Sequence, residues 1–168
     1  MKTKTILKLK KMLAFLVLLA YLSPANIFAQ TLGGIPASIR TPRDVANWIK
    51  SDFEYQLKMP DRPQSPQETM ALRTGDCDDF AALASSVMSG LGIHSDILII
   101  KFRDLKIQHA ICIWKGEDGI CSFLSSKQLV YTRERDIMAA VAKYYPDWEE
   151  VTFSNENRDS LRVVSRNS

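Results

Sequence analysis

Two short strings in this chain carry groups that can do chemistry. The first is Thr74-Gly75-Asp76-Cys77-Asp78-Asp79-Phe80-Ala81-Ala82-Leu83, and thirty-two residues after its cysteine comes Gln108-His109-Ala110. A thiol and an imidazole are the parts of nucleophilic sulfur chemistry, in which sulfur attacks an acyl carbon and the ring carries the proton. A free cysteine ionises near pH ~8.5, so little of it is thiolate at neutral pH unless its surroundings favour the anion. Unpaired N–H groups at a helix start and a protonated histidine would favour it. Asp76, Asp78 and Asp79 act in the opposite sense, softened if Asp76 and Asp79 turn to cap the helix and Asp78 turns to solvent. Taken alone, Cys77 also reads as a small buried apolar residue; the histidine on a later strand is what favours chemistry. His94 follows Gly92 in a turn and reads as a solvated loop residue, so His109 is the expected partner.

The elements that must position these groups follow from periodicity and caps. Thr41-Pro42-Arg43-Asp44 opens a helix whose stripe Val45, Trp48, Ile49, Phe53 runs to about Tyr55. Residues 58–64 form a proline-bearing loop, and Ser65-Pro66-Gln67-Glu68 opens a short helix ending near Thr74-Gly75. Asp76 caps a third helix with stripe Phe80, Leu83, Ala84, Val87, Leu91, stopped by Gly90 and Gly92 and carrying Cys77 in its first turn. The period then changes. Residues 96–102, 107–114 and 120–124 read as consecutive antiparallel strands, 133–145 as a helix, and 149–153 and 161–164 as two more strands. Helices first and sheet after predict an α+β fold.

A turn over residues 115–118 would set Cys112 opposite Cys121 and Leu124 opposite His109, with Ser125 and Ser126 just beyond. Cys112, three residues past His109, faces the other side of the sheet and is not expected to be the nucleophile. With Cys121 it could form a cross-strand disulfide, or both could pack as reduced thiols. An acid to orient the imidazole belongs near Leu124, where the chain offers serines. Glu117 and Asp118 stand at least eight residues along the strand from His109, about 25 Å of extended chain, and cannot reach.

Lys2, Lys4, Lys8, Lys10 and Lys11 precede an apolar run over 12–22 and a polar stretch ending in Ala29, the order of a secretory signal. Cleavage is expected after Ala29, with Ala25 and an uncleaved amphipathic anchor as alternatives. Removing residues 1–29 takes away five lysines and no acids, so 22 basic and 19 acidic residues become 17 and 19 and the net charge becomes −2. The basic balance thus belongs to the leader, and nucleic acid is excluded as an expected partner, as is a membrane once the leader is gone. Residues 30–40 read as a flexible lead-in and 41–168 as a single domain. Three cysteines remain, so at least one thiol stays outside any intramolecular disulfide.

Residues 67–70, the 74–81 string, the helix running to Gly90-Leu91-Gly92-Ile93 and His109-Ala110 opening a strand resemble the transglutaminase-like superfamily, in particular its short exported bacterial cysteine proteinases. The resemblance covers residues 41–130. It implies a papain-like core, with N-terminal helices packed on an antiparallel sheet, and a Cys, His, Asp triad acting on amide bonds through an acyl-thioester. Carried over, Cys77 is the nucleophile, His109 the general base and acid, and the third place falls at about Ser125, where the family has aspartate. Neutralising the acid of a serine-protease triad costs about 10⁴ in turnover, so two functions stand side by side. One is a periplasmic or secreted peptidase or amidase acting on a peptide or protein substrate; the other is a non-catalytic module holding a peptide or partner in its cleft. No cofactor and no metal is expected, a site on Cys77 and His109 lacking further ligands at suitable spacing. Oligomeric state is left open.

Overall fold

The computed structural model describes residues 34–57, 62–155 and 160–166. The leader assigned to residues 1–29 and the start of the lead-in lie outside the described residues. The compact unit that carries Cys77 and His109 begins at Pro36.

Three helices open it. Helix α1, Pro42–Asp52, starts with a reciprocal cap: Asp44 N–H donates to Thr41 Oγ1 at 3.2 Å and Thr41 N–H to Asp44 Oδ2 at 2.9 Å. It stops at Asp52, short of the predicted Tyr55. Glu54–Tyr55 instead forms strand β1, paired in parallel with β2, Thr74–Gly75. Between them helix α2, Pro66–Leu72, carries the same cap on Ser65 and Glu68 and ends on Arg73 at φ 56°. Helix α3, Cys77–Gly90, is buried along most of its length, with Phe80, Leu83 and Ala84 wholly covered.

The remainder is a six-stranded antiparallel sheet and one helix: β3, Ser95–Phe102; β4, Gln108–Lys115; β5, Cys121–Ser125; β6, Gln128–Tyr131; α4, Ile137–Tyr144; β7, Trp148–Ser154; β8, Ser160–Ser165. The spatial order is β6-β5-β4-β3-β7-β8, so β3 and β4 lie in the centre. Helix α3 packs against β3 and β4. Leu98, Ile100, Ile111, Ile113, Phe123, Val151 and Phe153 form a core cluster with Ala140 and Val141 of α4. The fold is α+β, as the order of elements predicted. Strand β6 was not expected. Helix α4 begins four residues later than expected because Thr132 and Glu134 are drawn to the start of β5, where Cys121 N–H donates to Glu134 O at 2.7 Å and Thr132 Oγ1 to Cys121 O at 2.6 Å.

The register between β4 and β5 differs from the sequence expectation. The chain turns through five residues, with Gly116 N–H donating to Ile120 O at 2.9 Å and Gly119 at φ 76°. Cys121 therefore pairs with Lys115, Cys112 with Leu124, and Ile111 with Ser125. The shift is an odd number of residues, which exchanges the two faces of β5 relative to β4. Cys112 and Cys121 consequently lie on opposite sides of the sheet and all three cysteines are free. Burial pushes the Cys112 thiol up to about 12, which keeps it neutral.

Candidate functional site

Cys77 is the first residue of α3, and the approach to it is built tightly. Gly75 sits where a Cβ would come within 2.8 Å of Asp79 Cβ, so only glycine lets β2 pass the helix tip. Asp79, fully buried, accepts from Asp76 N–H at 3.3 Å, Gln64 N–H at 2.7 Å and Gln64 Nε2 at 2.9 Å. One carboxylate thus ties the loop before α2 to the head of α3. Phe80, one turn inside, holds the other side through ring contacts with Phe53 at 6.1 Å and Tyr55 at 6.3 Å.

The thiol of Cys77 is half-buried and meets the backbone N–H groups of Ala110 and Asp78. Ala110 lies one residue before Ile111, whose pairing with Ser125 is the last of the β4–β5 ladder. Beyond that point the β5 side of β4 is open, and the sulfur comes against its Ala110 amide. His109, the neighbouring residue, occupies the sheet face it shares with Ile111 and Ser125. Its Nε2 is 2.7 Å from Ser125 Oγ. The Tyr145 hydroxyl, at the end of α4, lies 3.1 Å from the same Ser125 Oγ, and its ring centroid is 5.7 Å from that of His109.

Cys77, His109 and Ser125 are therefore brought to one end of β4. Ser125 reaches His109 because of the register shift: in the expected pairing it would have faced the other side. His94 is far from them. It follows the C-terminal end of α3, about 20 Å from Cys77 at 1.5 Å per residue, is largely exposed, and has Asp96 Oδ1 at 4.0 Å as its ionic neighbour. Tyr145 and Gln64 were missed in the sequence. Tyr145 reads there only as the last residue of the helix expected over 133–145, and Gln64 as a loop residue fifteen positions from its carboxylate partner.

The electrostatics favour uncharged partners at rest. Burial raises the Cys77 thiol above its ordinary value, and the carboxylates of Asp78 and Asp76 add to this against the two amides that lower it. Burial lowers His109. Burial likewise raises the Tyr145 phenol, so it stays protonated. The carboxylates of Asp76 and Asp78 and the Cys77 sulfur offer atoms within 4.8 Å of one another, a donor set that spacing around His109 did not suggest. A separate cleft of about 810 Å³ opens at the far end of β4, beside Arg43, Trp114, Lys115 and Tyr131, and contains none of the site residues.

The sequence profile of the transglutaminase-like superfamily matches residues 26–156. Among solved structures the chain is similar to Legionella pneumophila LapG, with a TM-score of 0.52 and 18% identity over 78% of this chain and 72% of that one. It is also similar to the calcium-bound structure of Legionella pneumophila LapG, with a TM-score of 0.51 and the same identity and coverage. Comparison with curated protein sequences gave no match.

Proposed function

Starting from the fact that this chain belongs to the transglutaminase-like superfamily, we propose that it is an exported cysteine peptidase or amidase acting on peptide or protein amide bonds. The observation that carries this reading is the meeting of the Cys77 sulfur with the amide next to His109, while His109 itself is held by Ser125. Nucleophile, base and orienting group then occupy one end of one strand.

The chemistry follows from the neutral resting pair. As Cys77 Sγ attacks the carbonyl carbon, its proton passes to His109 at Nδ1, the ring nitrogen that does not face Ser125. The imidazolium gives that proton to the departing amine as the C–N bond breaks, leaving an acyl-thioester. A water molecule, deprotonated by the same imidazole, then attacks the acyl carbon and restores the thiol; an amine in its place would give a crosslink. Because both groups start uncharged, the proton moves during attack, and the site depends on how well it stabilises an imidazolium without a carboxylate.

That dependence favours a second reading, in which the domain keeps the cleft and binds a peptide without cleaving it. It is supported by the hydroxyl of Ser125 lying 2.7 Å from His109 Nε2, where the resemblance implies a carboxylate. One experiment separates the two. The chain from Gln30 onward is incubated with fluorescein-labelled casein and with glutamine-containing peptides, while iodoacetamide labelling of Cys77 is followed by peptide mapping across about pH 5 to 10. The enzyme reading expects turnover that Cys77→Ala reduces at least about 10³-fold, and a labelling rate that rises at or above the ordinary thiol range and falls in His109→Ala. No turnover, with labelling indifferent to His109→Ala, would leave the binding module.

A further inference from the structure

Ser125 does not stand alone at the acid's place. Its Oγ lies between His109 Nε2 at 2.7 Å and the Tyr145 hydroxyl at 3.1 Å. The phenol reaches the site from a different element, the end of α4, and its ring is held by Phe102 at 6.1 Å and Phe123 at 5.9 Å as well as by His109. We propose that Tyr145 is a positioning residue for the sulfur chemistry, accepting a hydrogen bond from the Ser125 hydroxyl when His109 becomes an imidazolium, so that serine and phenol together stand where the family resemblance implies a carboxylate. The inference rests on the reading of Cys77 and His109 as a working couple.

Protons at the three groups decide the role of the phenol. A neutral imidazole can accept from Ser125 or donate to it, and a serine hydroxyl does either. An imidazolium carries protons on both nitrogens, so Ser125 Oγ must then accept at 2.7 Å and its own proton needs another acceptor. Tyr145 Oη is within reach and, being a hydroxyl, can turn to receive it. No proton leaves the chain; two hydroxyl groups rotate, and their aligned dipoles oppose the new charge. Without the phenol, the serine proton at this half-buried position would turn to solvent, and the aligned dipole that opposes the ring's charge would be lost. Among the described residues, the titratable groups that face this end of β4 are Cys77 from α3, with Asp76 and Asp78 beside its sulfur, and Tyr145 from the end of α4.

The chain holds two histidines, so ring NMR resolves His109 with the exposed His94 as an internal reference. Tyr145→Phe keeps the packing and removes the oxygen. It is expected to lower the His109 protonation constant by about threefold or more, half a pH unit, leaving His94 unmoved, and to lower kcat on labelled casein more than it changes KM. Because the phenol acts through the serine, Tyr145→Phe combined with Ser125→Ala should do no more than Ser125→Ala alone. An unmoved His109 titration in Tyr145→Phe, or effects that simply add in the double variant, would overturn the relay. Coupling without any turnover would refute the enzyme reading and keep the relay; turnover without coupling would do the reverse.

Discussion

At the scale of single residues, the proposed site departs in one atom group from the triad that the resemblance implies, and the difference has a definite sign. Burial lowers the His109 pKa, and the group 2.7 Å from its Nε2 is a hydroxyl, which orients the ring but brings no countercharge. Replacing Ser125 by aspartate puts an acceptor-only charge there, able to take both the Nε2–H and the Tyr145 O–H. The His109 pKa should rise and the imidazolium formed during attack should be stabilised. Ser125→Asp is therefore expected to raise kcat/KM on labelled casein at least about tenfold, within the ceiling of about 10⁴ set by neutralising such an acid. Ser126→Asp should give no gain, since Ser126 sits in the left-handed turn between β5 and β6 at φ 52°. Gain from the second variant and none from the first would place the orienting group wrongly.

Among the elements, the head of α3 is where local sequence and long-range packing meet. The caps on Thr41 and Ser65 were legible because each is closed by residues within one turn; the equally local cap on Asp136 was missed, the helix being expected from residue 133. The bond set of Asp79 was legible only in its local half. Asp79 accepting from Asp76 N–H is a one-turn contact, whereas Gln64 comes from a loop whose path no periodicity describes. Register failed for a related reason: the sequence shows that a turn lies near Gly116 and Gly119, but its exact length and the face exchange follow from its closure through Ile120 O. The pair β1 and β2 was invisible because two-residue strands carry no alternation. The Asp79 clamp gives a direct test. Asp79→Asn keeps the shape but turns an NH₂ group toward donors, leaving buried N–H groups unmatched. It should destabilise the domain by about 2–3 kcal/mol, read from urea unfolding, and slow Cys77 labelling less than about fivefold if the thiol's own amides stay in place. A loss below about 0.5 kcal/mol, the range of an ordinary surface change, would show that the clamp is not holding the helix head.

Across the whole molecule, the order helices-then-sheet was enough to give the fold class, yet not the order of strands in space. Local hairpins join β3 to β4, β4 to β5 and β5 to β6, and sequence proximity suggests those neighbours. That β7 returns to the free side of β3, with Phe153 beside Leu98 and Val151 beside Ile100, is decided by which apolar faces meet across the core. The charge distribution speaks to the other end of the chain. All five lysines before residue 30 lie ahead of or at the edge of one apolar run, while the remainder is slightly acidic at 17 basic to 19 acidic residues. A protein that kept the leader would carry +3; one that lost it would carry −2. Among the described residues no helix is long and apolar enough to cross a membrane. Expressed as the full chain with a C-terminal tag in a bacterium carrying a signal peptidase, the protein is expected outside the cytoplasm, beginning at Gln30 by intact mass, or at Asn26 if Ala25 is the residue before the cut. It should migrate as an acidic protein on isoelectric focusing. A product still beginning at Met1 and focusing above pH ~8, found in the membrane fraction, would make the leader an anchor and confine the cysteine site to a bilayer surface.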